Sequence, residues 1–217
     1  MTNGCHSAIR GFLPVARRNR IRFQAVAVLG LLLGGPALAG DADKAKSIVS
    51  EVCSACHGMD GNSIVPNFPK LAGRHPEYLV KELKEFVSGT RNSAIMAPIC
   101  AKLDPDDFKA LGEYFGAQKP TSGHVLDQKA AAIGMTLYQD GDEERGVPSC
   151  AGCHSSDGAG SRRFPRLAGQ HREYLIQEMY NFRNDVRNYG AARLMREVAK
   201  RLTEDEIKAV AEYLTGL

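Results

Sequence analysis

A short pattern of two cysteines and one histidine occurs twice in the chain and most restricts what it can fold into. Residues 53–57 read Cys-Ser-Ala-Cys-His, and residues 150–154 read Cys-Ala-Gly-Cys-His. This spacing is typical of c-type haem attachment, in which both thiols bond the porphyrin and the adjacent imidazole ligates the iron. The sequence therefore predicts two covalent haem c groups. The predicted attachment residues are Cys53, Cys56, Cys150 and Cys153, and the predicted iron ligands on this face are His57 and His154.

The two patterns lie inside a longer internal repeat. Residues 68–79 (FPKLAGRHPEYL) match residues 164–175 (FPRLAGQHREYL) at an offset of 96, and residues 103–115 match residues 202–214 at an offset of 99. An offset that changes so little indicates a duplicated folding unit with small loop differences. We predict an N-terminal domain at residues 40–118, a linker at 119–126 that contains a Lys-Pro-Thr-Ser-Gly turn sequence, and a C-terminal domain at 127–217.

Each unit is predicted to contain three main helices and almost no sheet. The first helices are expected at residues 42–53 and 128–138, and the second helices begin near Pro76 and Arg172. The closing helices begin with an acidic turn at residues 104–107 and with a capping box from Thr203 to Glu206. Apolar residues then recur at helical spacing. These residues are Phe108, Leu111, Gly112 and Phe115 in the first unit and Ile207, Val210, Ala211 and Leu214 in the second.

The opposite face of each iron is predicted to be ligated by a methionine. Met96 and Met195 follow the attachment histidines by 39 and 41 residues, and each precedes a repeated leucine by seven residues. Equivalent placement in both copies is what an axial ligand should show. The alternatives are that both are ordinary core methionines, or that His75 and His171, which are also equivalent, ligate the irons and lower the reduction potentials.

Five other residues are candidates for a role near the haems, each with an ordinary structural alternative or a second function. The carbonyls of Pro69 and Pro165, 12 and 11 residues after the attachment histidines, could accept the imidazole N–H and orient each ring. Tyr78 and Tyr174 either reach a propionate or the other unit, or bury a ring with its hydroxyl at the edge. Cys100 is interpreted as a small buried apolar residue, with a disulfide-linked dimer or a redox-responsive thiol as the alternative.

Residues 1–39 have the organisation of a secretory signal. They contain five arginines and no acidic residue, followed by an apolar run at residues 25–33 and an Ala-Leu-Ala sequence at 37–39. This order is typical of a cleaved export signal, and the apolar run is shorter than the roughly 20 residues that a membrane-spanning helix needs. We therefore predict a periplasmic protein. The alternative is an uncleaved signal that acts as a membrane tether and gives peripheral membrane association.

The net positive charge of the full chain comes from the arginines of this predicted signal. The full chain carries 28 basic and 25 acidic residues, a formal charge of +3. Without the five arginines of residues 1–39, 23 basic and 25 acidic residues remain, a formal charge of −2. This balance leaves no compositional support for nucleic-acid binding.

The residues and motifs described so far resemble the cytochrome c4 family of dihaem electron carriers. The resemblance covers essentially the whole predicted mature chain and rests on residues 53–58, 60–63, 66–73 and 167–171, the second haem motif and the closing helices. It implies an all-α fold of two tandem class I cytochrome c domains, packed face to face with propionates near the interface. It also implies His/Met irons and electron transfer to terminal oxidases. Two features depart from the expected pattern: Cys100 and an arginine-rich segment at Arg187, Arg193, Arg196 and Arg201.

We therefore predict an electron-transfer protein and not an enzyme, because both irons have internal ligands and no nucleophile–base pair appears. Its predicted partners are redox proteins, with a donor such as a quinol–cytochrome c reductase and an acceptor such as a terminal oxidase. Arg193 and Arg196 would form a basic docking face, unless they pair with Asp185, Glu197 or propionates. One alternative function is an electron-accepting subunit of a dehydrogenase or flavocytochrome complex. Another is a dihaem peroxidase, which requires an iron without its sixth ligand.

Overall fold

The fold of the protein is helical throughout the part that the computed structural model describes, residues 37–190 and 192–217. Within these residues there is no β-strand, and only one isolated antiparallel bridge joins Asp142 to Val147. The all-α prediction is therefore confirmed. The predicted signal at residues 1–39 lies outside the described residues except for its last three. None of the described helices combines the length and the apolar character that crossing a membrane requires.

The first half contains the three expected helices and two short additional ones. Helix α1 begins five residues before its predicted start, because the alanines and leucine at 37–39 are strong helix formers that extend it. A π-helical turn then leads into the first haem motif. The elements are α1 (Ala37–Ile48), the π-turn (Val49–Cys53), α2 (Ser54–His57), α3 (Pro76–Val87), α4 (Met96–Cys100), a 3₁₀ turn (Pro105–Asp107) and α5 (Phe108–Gly116).

The second half repeats this order. Its first helix begins at a strong cap, because the Asp127 side chain accepts hydrogen bonds from the backbone N–H groups of residues 129 and 130. The capping box from Thr203 to Glu206 is present as predicted at the start of the closing helix. The elements are α6 (Gln128–Asp140), α7 (Ala151–His154), α8 (Arg172–Arg183), α9 (Ala192–Arg201) and α10 (Glu204–Gly216).

Helices α4 and α9 were not predicted from the sequence. Helix α4 is only five residues long and has a proline in its first turn, which gives no periodic signal. Helix α9 does carry one, because Ala192, Met195 and Ala199 recur at helical spacing on the face that turns inward, but its many arginines obscured it. Helix α4 carries Met96 and helix α9 carries Met195, the two methionines predicted as iron ligands.

The closing helix of each half is the centre of its packing. Helix α5 packs against α1 and α3, and α10 packs against α6 and α8. The predicted apolar face of α5 is buried at all four positions, and that of α10 is buried at Ile207, Ala211 and Leu214 with Val210 partly covered. The two helical faces that periodicity predicted are therefore confirmed.

The predicted linker region is held in place by side chains of the first half. The Asn62 side chain donates to the Lys119 carbonyl at 3.0 Å and accepts from the Thr121 backbone N–H at 3.0 Å. The Lys70 ammonium donates to the Thr121 carbonyl at 2.9 Å. These contacts fix a segment without helix between α5 and α6. The domain limits at 40–118 and 127–217 stay a prediction.

Helices α6 and α10 approach each other closely at Gly134 on α6. A Cβ atom built there would lie 2.0 Å from the Ala209 carbonyl oxygen of α10. We predict that Gly134→Ala destabilises the folded holoprotein by about 3 kcal/mol, because the obstructing atom belongs to a backbone that cannot rotate away. Denaturant unfolding measures the effect. Ile133→Ala, at an exposed position of the same helix, is the control and should change stability by no more than about 0.5 kcal/mol; equal effects would contradict the prediction.

Candidate functional site

A cavity of about 440 Å³ occupies the centre of the first half. It lies among α2, α3, α4 and α5, and its walls are largely apolar, with Leu79, Phe86 and Leu111 among them. Its volume falls in the range typical of cofactor sites. The predicted site residues that line it are Cys53, Cys56, His57 and Met96.

A second cavity, of about 200 Å³, occupies the same place in the second half. It lies among α7, α8, α9 and α10, with Leu175, Phe182 and Leu214 among its apolar walls. The predicted site residues that line it are Cys150, Cys153, His154 and Met195. All eight residues predicted from the two repeats are thus brought together in two sets of four, one set in each cavity.

The two attachment histidines are held in the same orientation. Nδ1 of His57 lies 2.8 Å from the Pro69 carbonyl oxygen, and Nδ1 of His154 lies 3.0 Å from that of Pro165. A carbonyl only accepts, so Nδ1 carries the hydrogen in each ring and Nε2 is left with its lone pair. The predicted proline contacts are therefore present. They fix the tautomer that an iron ligand needs and raise its basicity.

Burial sets the ionisation of these groups. Both imidazoles are almost fully buried, and burial is the main cause that lowers the pKa of His57 and of His154. Burial also raises the pKa of the Cys53 and Cys150 thiols to about 11. The imidazoles are consequently neutral, as iron ligation requires.

The rival histidines lie elsewhere. Neither His75 nor His171 is among the described residues that line the two cavities. Nε2 of His171 lies 2.8 Å from the Ser63 carbonyl oxygen, to which it donates across the two halves. Its ring therefore joins the first half to the second. Cys100 is fully buried, as expected for a small apolar residue.

An ion cluster, formed by Glu82, Arg91, Glu178 and Arg187, lies between the two cavities. Arg91 binds Glu82 of its own half and Glu178 of the other half, the latter at 3.1 Å. Arg187 binds Glu178 of its own half and Glu82 of the other half, the latter at 2.9 Å. The cluster is reciprocal because its members are repeat equivalents. Glu82 and Glu178 are 96 positions apart, as are Arg91 and Arg187, and 96 is the offset of the repeat.

The tyrosines of the repeat complete this cluster. Arg187 donates to the Tyr78 hydroxyl at 3.1 Å, and Arg91 donates to the Tyr174 hydroxyl at 3.1 Å, so each tyrosine contacts the other half. Burial opposes ionisation of Glu82, yet the surrounding cations, Arg187 first, lower its pKa to about 2. Glu82 is thus ionised at neutral pH, and the ion pairs of the cluster join the two halves.

Sequence reasoning missed this cluster and assigned Arg187 only to an arginine-rich segment. Arg187 is in fact buried and paired with two glutamates. The repeat offset offered a signal, because each unit has one glutamate on its second helix and one arginine after that helix. Glu82 is equivalent to Glu178, and Arg91 is equivalent to Arg187. Arg196 pairs with Asp185 and Glu197 at 3.1 Å each, whereas Arg193 is exposed.

Comparison with known proteins agrees with this architecture. The family model described as cytochrome c matches residues 42–115 and 131–217, one match for each half. Cytochrome c4 of Thiocapsa roseopersicina is 42% identical over 181 residues, which cover 82% of this chain and 93% of the relative. The chain belongs to the cytochrome c4 family.

Two further comparisons extend this result. The crystal structure of reduced recombinant cytochrome c4 from Pseudomonas stutzeri, 37% identical, matches with a TM-score of 0.76 over 81% of this chain and 98% of that chain. A relative named thiosulfate dehydrogenase electron acceptor, from Stutzerimonas stutzeri (strain A1501), is 32% identical and covers 91% of this chain and 95% of the relative. The halves are therefore two tandem class I cytochrome c domains.

Membership in this family makes the chain a dihaem electron-transfer cytochrome and not an enzyme. It carries two covalent haem c groups, at the cysteine pairs 53/56 and 150/153. The described residues fit such groups, because each cavity combines apolar walls, both cysteines of a pair and an imidazole whose Nε2 is available.

The position of His171 gives a test of the rival ligand set. We predict that His171→Ala leaves the visible and electron paramagnetic resonance spectra of both haems unchanged, because its ring bonds Ser63 outside the cavities. Loss of that hydrogen bond should lower the free energy of unfolding by about 1 kcal/mol. His75→Ala tests the equivalent position of the first half in the same way, and it should also leave both spectra unchanged. A change of spin state at either haem in either variant would reinstate histidine ligation.

Proposed function

We propose that this dihaem cytochrome is exported to the periplasm and carries electrons in a respiratory chain, toward terminal oxidases. The observation that carries the proposal is the pairing of two equivalent cavities across one shared wall, which puts two one-electron centres side by side in one chain. The resemblance of the sequence to cytochrome c4 supports the direction. A donor such as a quinol–cytochrome c reductase would deliver the electrons.

The proposed iron ligands are His57 with Met96 and His154 with Met195. Met96 begins helix α4, and Met195 lies within helix α9, which follows the second helix of its half as α4 does in the first. Each methionine lines the same cavity as the histidine of its half. When bound, the haems supply the one-electron redox chemistry. The chain's own residues orient the imidazoles through Pro69 and Pro165 and exclude water with apolar walls. Two internal ligands for each iron leave no position for a substrate, which argues against a peroxidase.

The proposed processing and domain limits follow the repeat. Removal of residues 1–39 would leave domains at 40–118 and 127–217 with the linker at 119–126. The non-helical segment between α5 and α6 and the two separate family matches support these limits. An uncleaved signal would instead give peripheral membrane association.

A second candidate function is that of an electron-accepting subunit of a larger dehydrogenase. It is favoured by the relative named thiosulfate dehydrogenase electron acceptor, which the chain covers almost entirely. Affinity purification of the native protein under mild conditions separates the two functions. Recovery of a monomer that a terminal oxidase oxidises rapidly supports the carrier, and recovery of a stoichiometric dehydrogenase partner supports the subunit.

The mouths of the two cavities suggest different docking surfaces. The first is lined by exposed apolar residues, Val52, Ile95 and Val186. The second is lined by exposed Arg163 and Leu194 and is followed on α9 by exposed Arg193. We propose that the second domain receives an acidic partner through this basic surface in a salt-sensitive encounter.

The methionine ligands can be tested one at a time. We predict that Met96→Ala lowers the reduction potential of one haem by a few tenths of a volt, within the ~0.8 V that axial ligands span, and allows imidazole to bind that iron. Met195→Ala should do the same at the other haem. Spectroelectrochemical titration and the methionine–iron charge-transfer band report the change. The control is Met135→Ala, an exposed methionine of α6; unchanged spectra in both ligand variants would overturn the assignment.

The docking surface can be tested by charge reversal. We predict that Arg193→Glu lowers the low-salt rate of electron exchange with an acidic partner by about threefold to tenfold. Arg196→Glu should have a smaller effect, because Asp185 and Glu197 already compensate its charge. Stopped-flow rates over a range of ionic strength measure both, with Lys109→Glu on the exposed side of α5 as the control. Rates for Arg193→Glu equal to those of the control at every salt concentration would refute the basic surface.

A further inference from the structure

The wall shared by the two cavities has one member that breaks the repeat. Six residues line both cavities: Arg74, Tyr78, Glu82, Tyr174, Glu178 and Arg187. The tyrosines and the glutamates are equivalent pairs, and Arg187 corresponds to Arg91, which lines the first cavity. Arg74 corresponds to Gln170, which lines neither. The first half therefore has a cation at this position of the repeat, and the second half has a neutral amide there.

Arg74 differs from the other arginines of the wall in having no anionic partner. Its guanidinium donates to two carbonyl oxygens, that of Lys70 at 2.8 Å and that of Arg166 at 2.9 Å, and lies 5.8 Å from the ring of Tyr78. No ion pair of the described residues includes Arg74, although it is only 6% exposed. The carboxylates of Glu82 and Glu178 are already shared between Arg91 and Arg187.

The surroundings increase this excess of positive charge. Arg166 lies beside Arg74, since its carbonyl accepts from Arg74, and its own Nε has no hydrogen-bond partner among the described residues. Burial first, and Arg74 after it, lower the pKa of Arg166, whereas the carboxylate of Asp157 raises it. A buried cation is costly unless an anion compensates it. Asp157 acts on Arg166, but no carboxylate of the described residues pairs with Arg74, so an anion is missing at Arg74.

The carboxylate groups of the haems are the anions available there. A haem is apolar except for its carboxylates, and the shared wall is the polar side that both cavities have in common. We propose that Arg74 is a single counter-ion shared by the carboxylates of both haems and that it raises the reduction potential of both. The proposal rests on haems in both cavities and goes beyond the proposed carrier function.

The expected direction follows from charge. Oxidation adds one positive charge to each iron centre, and a fixed guanidinium nearby disfavours that state. Arg74 lines both cavities, so its fixed charge lies beside both centres. One side chain should therefore shift two potentials in the same direction.

The test is the substitution Arg74→Gln, which reproduces the residue found at the equivalent position 170. We expect both haems to become harder to reduce, with a threefold to tenfold loss in the equilibrium constant for reduction, where tenfold corresponds to ~59 mV for one electron. Spectroelectrochemical titration of the holoprotein gives both potentials. Haem content and the methionine–iron band are measured in the same sample and should not change.

Two further variants keep the result interpretable. Lys109→Gln removes one exposed positive charge on α5 and should leave both potentials within the error of the unmodified protein. Arg74→Lys keeps the charge and should retain most of both potentials, even if Arg74→Gln fails to fold. Unchanged potentials in Arg74→Gln, a shift at one haem only, or equal losses in Arg74→Lys and Arg74→Gln would each overturn the shared counter-ion. Absence of the methionine–iron band from the unmodified protein would instead contradict the proposed axial ligands, and its loss only in Arg74→Gln would overturn a purely electrostatic role of Arg74.

Discussion

A cavity occupies the centre of each half, at the place where a helical domain of this size would otherwise bury a side-chain core. The helices that surround it contribute apolar side chains to its walls, and other apolar side chains of the described residues form small clusters around α5, around α10 and between α8 and α9. A unit of 80 to 90 residues gains little from such clusters alone. The covalent haem therefore acts as a structural element as well as a redox centre, because its large apolar surface completes the core. Helices α4 and α9, which hold Met96 and Met195, line the same cavities as the attachment histidines.

The interaction between the halves combines hydrogen bonds with an ion cluster that depends on the duplication. The ion cluster of Glu82, Arg91, Glu178 and Arg187 satisfies each charge twice, once within its own half and once across the wall. Removing one member would leave a buried charge of the opposite sign, which is far more costly than losing a surface pair. The cluster therefore helps to fix how the two halves pack against each other. A carrier that moves electrons between two centres needs such fixed packing.

Much of this architecture could be predicted from the sequence, and the reasons are specific. The two haem motifs, the repeat and the capped closing helices are local signals, and the relation between His57 and Pro69 follows from a short loop of constrained length. The ion cluster could not be predicted in the same way, because its geometry depends on how two halves meet. Arg187 and Arg196 have the same side chain and lie nine residues apart, yet one is buried between two glutamates and the other is partly exposed. Only the tertiary structure separates them.

Duplication supplies symmetry, and single substitutions then make the two centres different. The wall preserves its pairs of tyrosines and glutamates, but Arg74 faces both cavities while its counterpart Gln170 bonds the backbone of Lys70 instead. The apolar mouth of the first cavity and the basic mouth of the second differ in the same manner. Residues of the wall line both cavities, so a change in their charge is expected to act on both centres. Residues at a mouth act on one centre only. The potentials and the docking surfaces can therefore change independently, since they depend on side chains at different depths of the same fold.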